Sequence, residues 1–89
     1  MAWQINVEDT AIFDLAKLDR VTQTRIDAFI NKKLPDHPNI YAISEPMKGK
    51  FQGKRRFRVG DYRILAEIDD ESKTITIYQI GHRSHIYNN

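Results

Sequence analysis

The segment KRRFRVGDYR, residues 54–63, decides the fold of this chain because it reads as a β-strand entering a hairpin turn. Side chains of a strand alternate between its two faces, so one face receives cations and the other receives the apolar Phe57 and Val59. The cations of the first face are Lys54, Arg56 and Arg58. We therefore expect a sheet with one apolar and one cationic face.

The turn after this strand is Gly60-Asp61, and a two-residue loop with glycine first is typical of a type II′ hairpin. Residues 62–69, YRILAEID, then return as the second strand. This register places Arg63 on the same side of the sheet as the cationic row. Four positive charges on so small a surface favour the binding of an anion.

A short strand and a helix are predicted upstream, near the N-terminus. Residues 3–7, WQINV, alternate apolar and polar side chains, as a strand with one buried face does. The inward-facing residues of this strand are Trp3, Ile5 and Val7. Asp9 or Thr10 is expected to cap the helix that follows, which ends near Leu18. The apolar residues at helical spacing are Ile12, Leu15 and Ala16.

A second helix follows with almost no connecting loop. Asp19 is expected to cap this helix, and Pro35 and Pro38 are expected to end it. Apolar residues recur at the spacing i, i+3, i+4 and i+8 and form one stripe. These residues are Ile26, Phe29, Ile30 and Leu34. Two helices of this kind form a helical hairpin, whose apolar stripes require a sheet to pack against.

Residues 38–53, PNIYAISEPMKGKFQG, contain prolines and glycines and are predicted to form a loop. The residues expected to anchor this loop to the core are Ile40, Tyr41 and Ile43. Lys48 and Lys50 are expected to lie at its exposed tip.

The last predicted strand spans residues 74–81, after a turn at residues 70–73. Under strict alternation Ile75 and Ile77 share one face while Ile80 takes the other. The strand is therefore either buried on both faces or bulged near Gly81. The order β-α-α-β-β-β predicts an α+β fold in which the helical hairpin packs on one face of an antiparallel β-sheet.

The composition is that of a soluble globular protein. The chain has 89 residues, of which 40% are hydrophobic and 29% charged, so we expect a single domain over residues 1–89. It has no cysteine, which excludes disulfide bonds, thiolate metal sites and a cysteine nucleophile. No signal-peptide pattern is present, and no apolar run approaches the ~18 residues of a membrane-spanning helix. We expect a cytoplasmic protein without membrane contact.

Charge is distributed unevenly along the chain. Residues 1–46 contain five Lys and Arg against seven Asp and Glu, whereas residues 47–89 contain nine against five. The formal net charge of +2 therefore combines an acidic helical half with a basic sheet half. A basic surface attracts nucleic-acid phosphates because it releases their counterions.

Two runs, KRRFRVGDYRILAEI at residues 54–68 and IYQIGHRSHIY at residues 77–87, resemble the RelE/ParE superfamily of toxins, and its RelE branch in particular. The helical hairpin and the loop segment also occur in the family's order, so the resemblance covers nearly all of the chain. It implies a ribosome-dependent endonuclease that cleaves messenger RNA in the ribosomal A site. It also implies a RelB-like antitoxin as partner, in a toxin–antitoxin hetero-oligomer.

Cleavage of RNA by its own 2′-hydroxyl requires a base, cations to stabilise the phosphorane and an acid for the leaving group. Arginine stays protonated, so Arg56, Arg63 and Arg83 are predicted to hold phosphate and stabilise the transition state. Lys54 is a candidate base because crowding by neighbouring cations favours its neutral form. The resemblance assigns catalytic positions to these four residues and to Tyr87, which is expected to stack on a base.

The chain departs from the family pattern at two positions. Arg56 stands where the best-known relatives have a second lysine, and His82 lies beside Arg83, so the acid and base roles stay open between Lys54 and His82. The residues expected to contact substrate are Lys48, Lys50, Arg58 and His82. The spacing of His82 and His85 does not indicate a metal site without further ligands, and no cofactor is expected.

Other functions are compatible with the same fold. A toxin similar to ParE that inhibits DNA gyrase would need no phosphorane-stabilising cluster, and the fold alone does not separate the two. The change to Arg56 also leaves open an inactive relative that only binds antitoxin or RNA. A solvated cationic face that prevents sheet aggregation is the simplest non-functional explanation of the arginine row.

Overall fold

Five β-strands form one sheet in the computed structural model of this protein, which describes residues 2–87. The strands are β1 (Gln4–Val7), β2 (Ser44–Pro46), β3 (Arg55–Val59), β4 (Tyr62–Asp69) and β5 (Thr74–His82). Their order in the sheet is β1-β5-β4-β3-β2. β1 pairs with β5 in parallel, and the other pairs are antiparallel. The predicted α+β fold is confirmed, with one parallel pair that the prediction lacked.

The hairpin of β3 and β4 forms as predicted. Val59 pairs with Tyr62, which leaves a loop of two residues. Gly60 has φ +59°, whereas Asp61 is not among the residues with positive φ, as a type II′ turn requires.

Two helices cover one face of the sheet. Helix α1 spans Asp9–Ala16, and α2 spans Arg20–Ala28 and continues as a π-helical turn over Phe29–Lys33. The Asp19 carboxylate caps α2 as predicted, accepting hydrogen bonds from the Thr22 hydroxyl at 2.6 Å and the Thr22 backbone N–H at 3.2 Å. These hydrogen bonds stabilise the ionised carboxylate and hold the pKa of Asp19 below its usual value.

The predicted start of α1 is wrong. Glu8 occupies the N-cap position and makes no side-chain capping bond. The Thr10 hydroxyl, one of the two expected caps, instead donates to the Tyr78 carbonyl at 2.6 Å. The Asp14 carboxylate accepts the Ile80 backbone N–H at 3.1 Å. β1 ends opposite residue 77, so these polar side chains of α1 satisfy the β5 backbone groups that lie beyond it.

The apolar stripe of α1 is also rotated from its predicted position. Ala11 is fully buried and Leu15 is half-buried, whereas Ile12 is 52% exposed and Ala16 is exposed. The polar contacts of α1 to β5 fix this rotation, which helical spacing alone did not reveal. The stripe of α2 is as predicted, because Ile26, Ile30 and Leu34 are buried and Phe29 packs against the same core.

A bulge in β5 allows all of its isoleucines to face the same side of the sheet. Leu65 pairs with Gln79 and Ala66 with Ile77, so Tyr78 is the extra residue. As a result all three isoleucines of β5 join the helix-side core. They are Ile75, Ile77 and Ile80. The bulge was predicted near Gly81 and lies at Tyr78 instead.

The segment predicted as loop contains two regular elements. β2 pairs with β3, and residues 49–51 form a 3-10 turn. Ile40 is buried and Ile43 packs on the core, but Tyr41 is 40% exposed and its hydroxyl donates to Asp70 at 2.7 Å. Within residues 2–87, no helix combines the length and hydrophobicity that crossing a membrane requires.

Hydrophobic residues pack on both faces of the sheet. The large core lies under the helices and includes Phe57, Ile64 and Ile77. A second, smaller cluster lies on the opposite face, which we call the open face. It comprises Met47, Leu65 and Ile86, with Phe51 and Tyr87 packed against it. The cationic row was predicted on this face, but the apolar cluster was not.

Candidate functional site

The strand register brings the predicted cations of β3 and β4 to the open face. Arg56 lies opposite Leu65 and Arg58 lies opposite Arg63, and residues paired across a ladder share a face. Arg63 in turn pairs with Gly81 of β5. Arg83 follows directly after β5, and its backbone N–H donates to the Asp61 carbonyl at 2.8 Å, which places this residue beside the hairpin turn.

A cleft of about 450 Å³, which we call the central cleft, lies on this face between β3, the segment after β2 and the segment after β5. Its lining residues are Pro46, Met47, Lys48, Phe51, Arg56 and Tyr87. The Arg56 guanidinium donates from Nη1 to the Tyr87 hydroxyl at 3.4 Å, and its central carbon lies 5.6 Å from the centre of that ring. Phe51 contacts the Tyr87 ring edge-on at 6.3 Å. The cleft thus combines a cation, a phenol and an apolar wall.

The chain folds back at its C-terminal end to place Tyr87 in this cleft. Ile86 is 5% exposed and packs over Gly81, where an added Cβ would lie 2.8 Å from its Cδ1 atom. The Ile86 backbone N–H also donates to the His82 carbonyl at 3.0 Å. Gly81 therefore leaves room for the side chain that anchors the residue before Tyr87.

Three carboxylates pair with the cations of the open face. Their separations are 3.3 Å for Lys54–Glu67, 3.4 Å for Arg56–Glu45 and 3.8 Å for Arg83–Asp61. From the sequence, only cations and Tyr87 were expected on this face, so these pairs were not predicted. Glu45 was missed because β2, which places it opposite Arg56, was not predicted. Glu67 could have been found, because the predicted turn register already aligns residues 54 and 67.

Arg56 is a permanent cation in this setting. Burial acts to lower its pKa, but the hydrogen bond to Glu45 and the interactions with Tyr87 outweigh burial and raise the pKa of Arg56 above its usual value. A guanidinium of this kind can hold a phosphate but cannot accept a proton.

Lys54 lies at the far end of the row, among groups that the sequence did not predict. Its ammonium lies 4.4 Å from the centre of the Tyr78 ring, and the Tyr78 hydroxyl donates to Glu67 at 3.4 Å. Burial, followed by the charge of Glu67, raises the pKa of Tyr78 above its usual value. The bulge leaves Tyr78 half-buried beside Lys54. A carboxylate, and not only cations, therefore faces the candidate base.

Arg63 is held firmly by the hairpin turn. It is 8% exposed, and its Nη1 donates to the carbonyl oxygens of Gly60 and Tyr62, both at 3.1 Å. Among the described residues no hydrogen bond is recorded for its Nε or Nη2. Those N–H groups remain free to orient a phosphate group near the turn.

The remaining predicted residues lie farther from the cleft or on another surface. His82 pairs with Tyr62, and their rings meet edge-on at 5.4 Å, which places His82 on the helix side of the sheet. Its Nδ1 lies 2.8 Å from the Ser84 hydroxyl. Lys50 lies 5.4 Å from the Phe51 ring centre on the 3-10 turn. Arg58 lines a second cleft, between β3 and α2.

The geometry permits phosphate binding over a row of cations with an aromatic group at its centre. Arg56 and Tyr87 supply a hydrogen-bond donor and a stacking surface in one cleft. Arg63 and Arg83 provide further donors toward the turn end of the row, and Lys54 lies at the other end.

Comparison with known proteins gives consistent results. Residues 5–87 match the family model for the ParE toxin of the type II toxin–antitoxin system, parDE. The chain is 31% identical over 87 residues to toxin RelG of Mycobacterium tuberculosis, with 98% of each chain covered.

Solved structures show the same relationship. A chain of the toxin–antitoxin complex RelBE2 from Mycobacterium tuberculosis is similar with a TM-score of 0.83 and 29% identity, covering 93% of this chain and 100% of that one. A chain of the RelB–RelE antitoxin–toxin complex from Methanococcus jannaschii is similar with a TM-score of 0.67 and 25% identity, over 93% and 95% of the two chains.

Proposed function

This chain belongs to the ParE toxin family of type II toxin–antitoxin systems, and from its similarity to toxin RelG we propose that it is a ribosome-dependent endoribonuclease that cleaves messenger RNA. The observation that carries the proposal is the contact between Arg56 and Tyr87 in the open-face cleft. A cation and an aromatic ring in one cleft suit a phosphate and its adjoining base.

The proposed reaction is attack of a ribose 2′-hydroxyl on the adjacent phosphorus. The P–O5′ bond breaks, and the products are a 2′,3′-cyclic phosphate and a 5′-hydroxyl. Arg56, with Arg63 and Arg83, stabilises the negative charge that develops on the phosphorane. Tyr87 stacks on the base next to the scissile bond. The ribosome contributes by holding the RNA backbone in line for the attack.

In this proposal the pair of Lys54 and Glu67 transfers both protons: one member takes up the proton of the attacking 2′-hydroxyl, and the other delivers a proton to the O5′ leaving group. The two side chains are 3.3 Å apart, so a phosphate that enters beside Lys54 competes with the carboxylate for the ammonium. The assignment to His82 is less favoured because its ring packs on Tyr62, on the helix side.

A cognate antitoxin is the proposed partner. RelBE2 of Mycobacterium tuberculosis and RelB–RelE of Methanococcus jannaschii are toxin–antitoxin complexes, and chains of both share this fold. We expect the antitoxin to be RelB-like and to form a hetero-oligomer that keeps this chain inactive in the cytoplasm.

Inhibition of DNA gyrase is the second candidate function. The family model that matches residues 5–87 carries the name of ParE, which favours this alternative. The similarity to toxin RelG and to the RelBE2 chain favours the nuclease.

One pair of assays separates these functions. The purified chain is incubated with programmed ribosomes and messenger RNA, and cleavage is mapped by primer extension. The same preparation is tested for inhibition of gyrase supercoiling. We expect cut messenger RNA and active gyrase. Intact messenger RNA together with blocked supercoiling would replace the proposal with the gyrase alternative.

Replacement of Arg83 by alanine tests the role of the site itself. Arg83 is 61% exposed and contacts Asp61 only at 3.8 Å, so Arg83→Ala is expected to fold normally. Cleavage should fall by at least about 100-fold, the usual effect of losing a donor to a developing oxyanion. Arg20→Ala, an exposed change at the start of α2, is the matched control. Loss of antitoxin binding equal to the loss of cleavage would show that Arg83 is structural.

A further inference from the structure

A second cleft, of about 400 Å³, opens between the C-terminal half of α2 and the end of β3. We call it the edge cleft. Three of its lining residues are cations, Arg25, Lys33 and Arg58, and none is acidic. Phe29 forms part of its apolar wall. The cleft lies where β3 extends past its last pairing with β2, at Phe57 and Ser44, so this stretch is a sheet edge.

The cations of the edge cleft differ in their pairing from three of the predicted site cations. Lys54, Arg56 and Arg83 each have a carboxylate within 4.0 Å, whereas no ion pair within residues 2–87 includes a cation of the edge cleft. Unpaired cations that share a concave surface give a positive potential that an anion relieves. The edge cleft therefore concentrates three cations for which no ion pair is found within the described residues.

The hairpin turn limits the space available to one of these cations. The Arg25 guanidinium nitrogens lie 3.1 Å from the position where Gly60 would carry a Cβ atom. Gly60 is therefore suited to this position for two reasons, because its φ of +59° favours glycine and because a side chain would crowd Arg25. The guanidinium lies against the turn at the end of β3, close to Arg58.

We propose that the edge cleft is a second RNA-binding subsite, which holds a backbone phosphate outside the scissile position. The inference rests on the proposed function, because it takes RNA as the substrate of the open face. Arg58 follows Arg56 by two residues on the same face of β3, a step of about 6.6 Å. Because Phe29 and Val59 pack on the helix side, the edge cleft lies around the edge of the sheet from Arg56, and a strand of RNA reaches it past Arg58.

The charge pattern favours RNA over an acidic peptide as the occupant. Arg56 lines the central cleft and Arg58, two residues later on β3, lines the edge cleft. A ligand with evenly spaced phosphates suits such a row of cations better than a peptide does. The apolar wall at Phe29 accommodates the face of a nucleobase beside its phosphate.

The test measures binding rather than cleavage. A fluorescent 2′-O-methyl RNA of about ten nucleotides lacks the attacking hydroxyl and stays intact, so anisotropy gives its affinity from about 50 to about 200 mM KCl. The test variant is Arg25→Gln/Lys33→Gln. The control is Arg20→Gln/Lys32→Gln, which removes the same charge from the same helical segment, outside the edge cleft.

Each lost phosphate contact lowers the slope of log affinity against log salt by about 0.7 for a single strand. We expect the test variant to lose about 1.4 from the slope and the control to keep the wild-type slope. Because Arg25 packs near Gly60, Lys33→Gln alone is measured as well, with an expected loss of about 0.7. Thermal unfolding of each variant verifies that it is folded.

Equal slopes for test and control variants would overturn the subsite. A poly-glutamate peptide is titrated in parallel to test an acidic peptide as the ligand of the edge cleft. The RNA subsite would also be overturned if the affinity for the peptide depends on Arg25 and Lys33 while the affinity for RNA does not. Wild-type cleavage on ribosomes is scored separately. A smaller salt dependence of RNA binding in the test variant, without cleavage by the wild type, would support the subsite and contradict the nuclease proposal. Cleavage by the wild type, with equal salt dependence in test and control variants, would contradict the subsite and support the nuclease proposal.

Discussion

The carboxylates that pair with the site cations are exposed to solvent, so these ion pairs are weak. The carboxylates that face Lys54, Arg56 and Arg83 are themselves 52% to 67% exposed. Exposed pairs of this kind contribute only about 0–1 kcal/mol, because water screens them. A phosphate can therefore displace the carboxylates at little cost, and the pairs moderate the positive charge of the site while it is empty.

Glu67 offers a direct test of this moderating effect. Glu67→Gln removes the negative charge beside Lys54, so RNA binding at low salt should strengthen by about 2–5-fold, as loss of an exposed pair suggests. The gain should fade at high salt, where screening is stronger. Anisotropy with non-cleavable RNA measures both effects.

Glu71→Gln is the matched control for this change, since Glu71 lies in the exposed turn between β4 and β5 and carries the same charge. A gain of the same size in both variants would mean that only net charge matters.

The C-terminal segment after β5 is the element on which the central cleft depends. Ile86 inserts into the small cluster with Met47 and Leu65, and the next residue is Tyr87. The bulge at Tyr78 changes the face on which later residues of β5 lie, and so decides that Gly81 faces this cluster. A strand without the bulge would place the anchoring residues on the wrong side.

Ile86→Ala should therefore affect activity more than stability. Cleavage is expected to fall at least about 10-fold, since Tyr87 loses the anchor that keeps it beside Arg56. The free energy of unfolding should fall by about 1–2 kcal/mol. This is at or below the low end of the ~2–5 kcal/mol that is typical when a fully buried isoleucine is replaced by alanine.

Urea unfolding and the ribosome assay give the two values. Ile12→Ala, at a side chain that is 52% exposed, is expected to change neither by much. Full cleavage by Ile86→Ala would show that the segment after β5 does not position Tyr87.

At the scale of the whole molecule, the two faces of the sheet differ in role: one face stabilises the fold, and the other presents the candidate site. The helix side contains the large core, and the open face contains the cations and a much smaller cluster. Changes to the large core should therefore alter stability without specific effects on RNA binding. Phe57, fully buried and 5.8 Å from the Phe29 ring, connects β3 to the helices and is a suitable probe.

Phe57→Ala should lower the free energy of unfolding by about 3–5 kcal/mol, a large part of the ~5–15 kcal/mol that domains of this kind possess. Urea unfolding measures the change. Phe57→Leu, which preserves most of the volume, is expected to lose less than about 1.5 kcal/mol. A small loss in Phe57→Ala would mean that the contact between sheet and helices does not depend on this ring.

Much of the architecture could be predicted because local patterns encode it. Strand alternation and the Gly60 turn predicted the hairpin, and the stripe of α2 predicted its packing. The rotation of α1 could not be predicted, because it depends on backbone groups of β5 that are distant in sequence. The short strand β2 was missed since three residues beside Pro46 give no pattern of their own.

The sequence by itself determined which residues alternate, where the tight turn falls and that Lys54, Arg56 and Arg58 share one face, because each of these follows from the backbone geometry of neighbouring residues. Only the tertiary structure decided that Glu45 pairs with Arg56, that Tyr87 contacts Arg56 and that Arg25 shares a cleft with Arg58. These contacts join residues that are 11 to 33 positions apart, and their formation depends on a bulge, a short edge strand and a packed C-terminal segment. Such features arise when the whole chain satisfies its buried polar groups and fills its core, which no local pattern specifies.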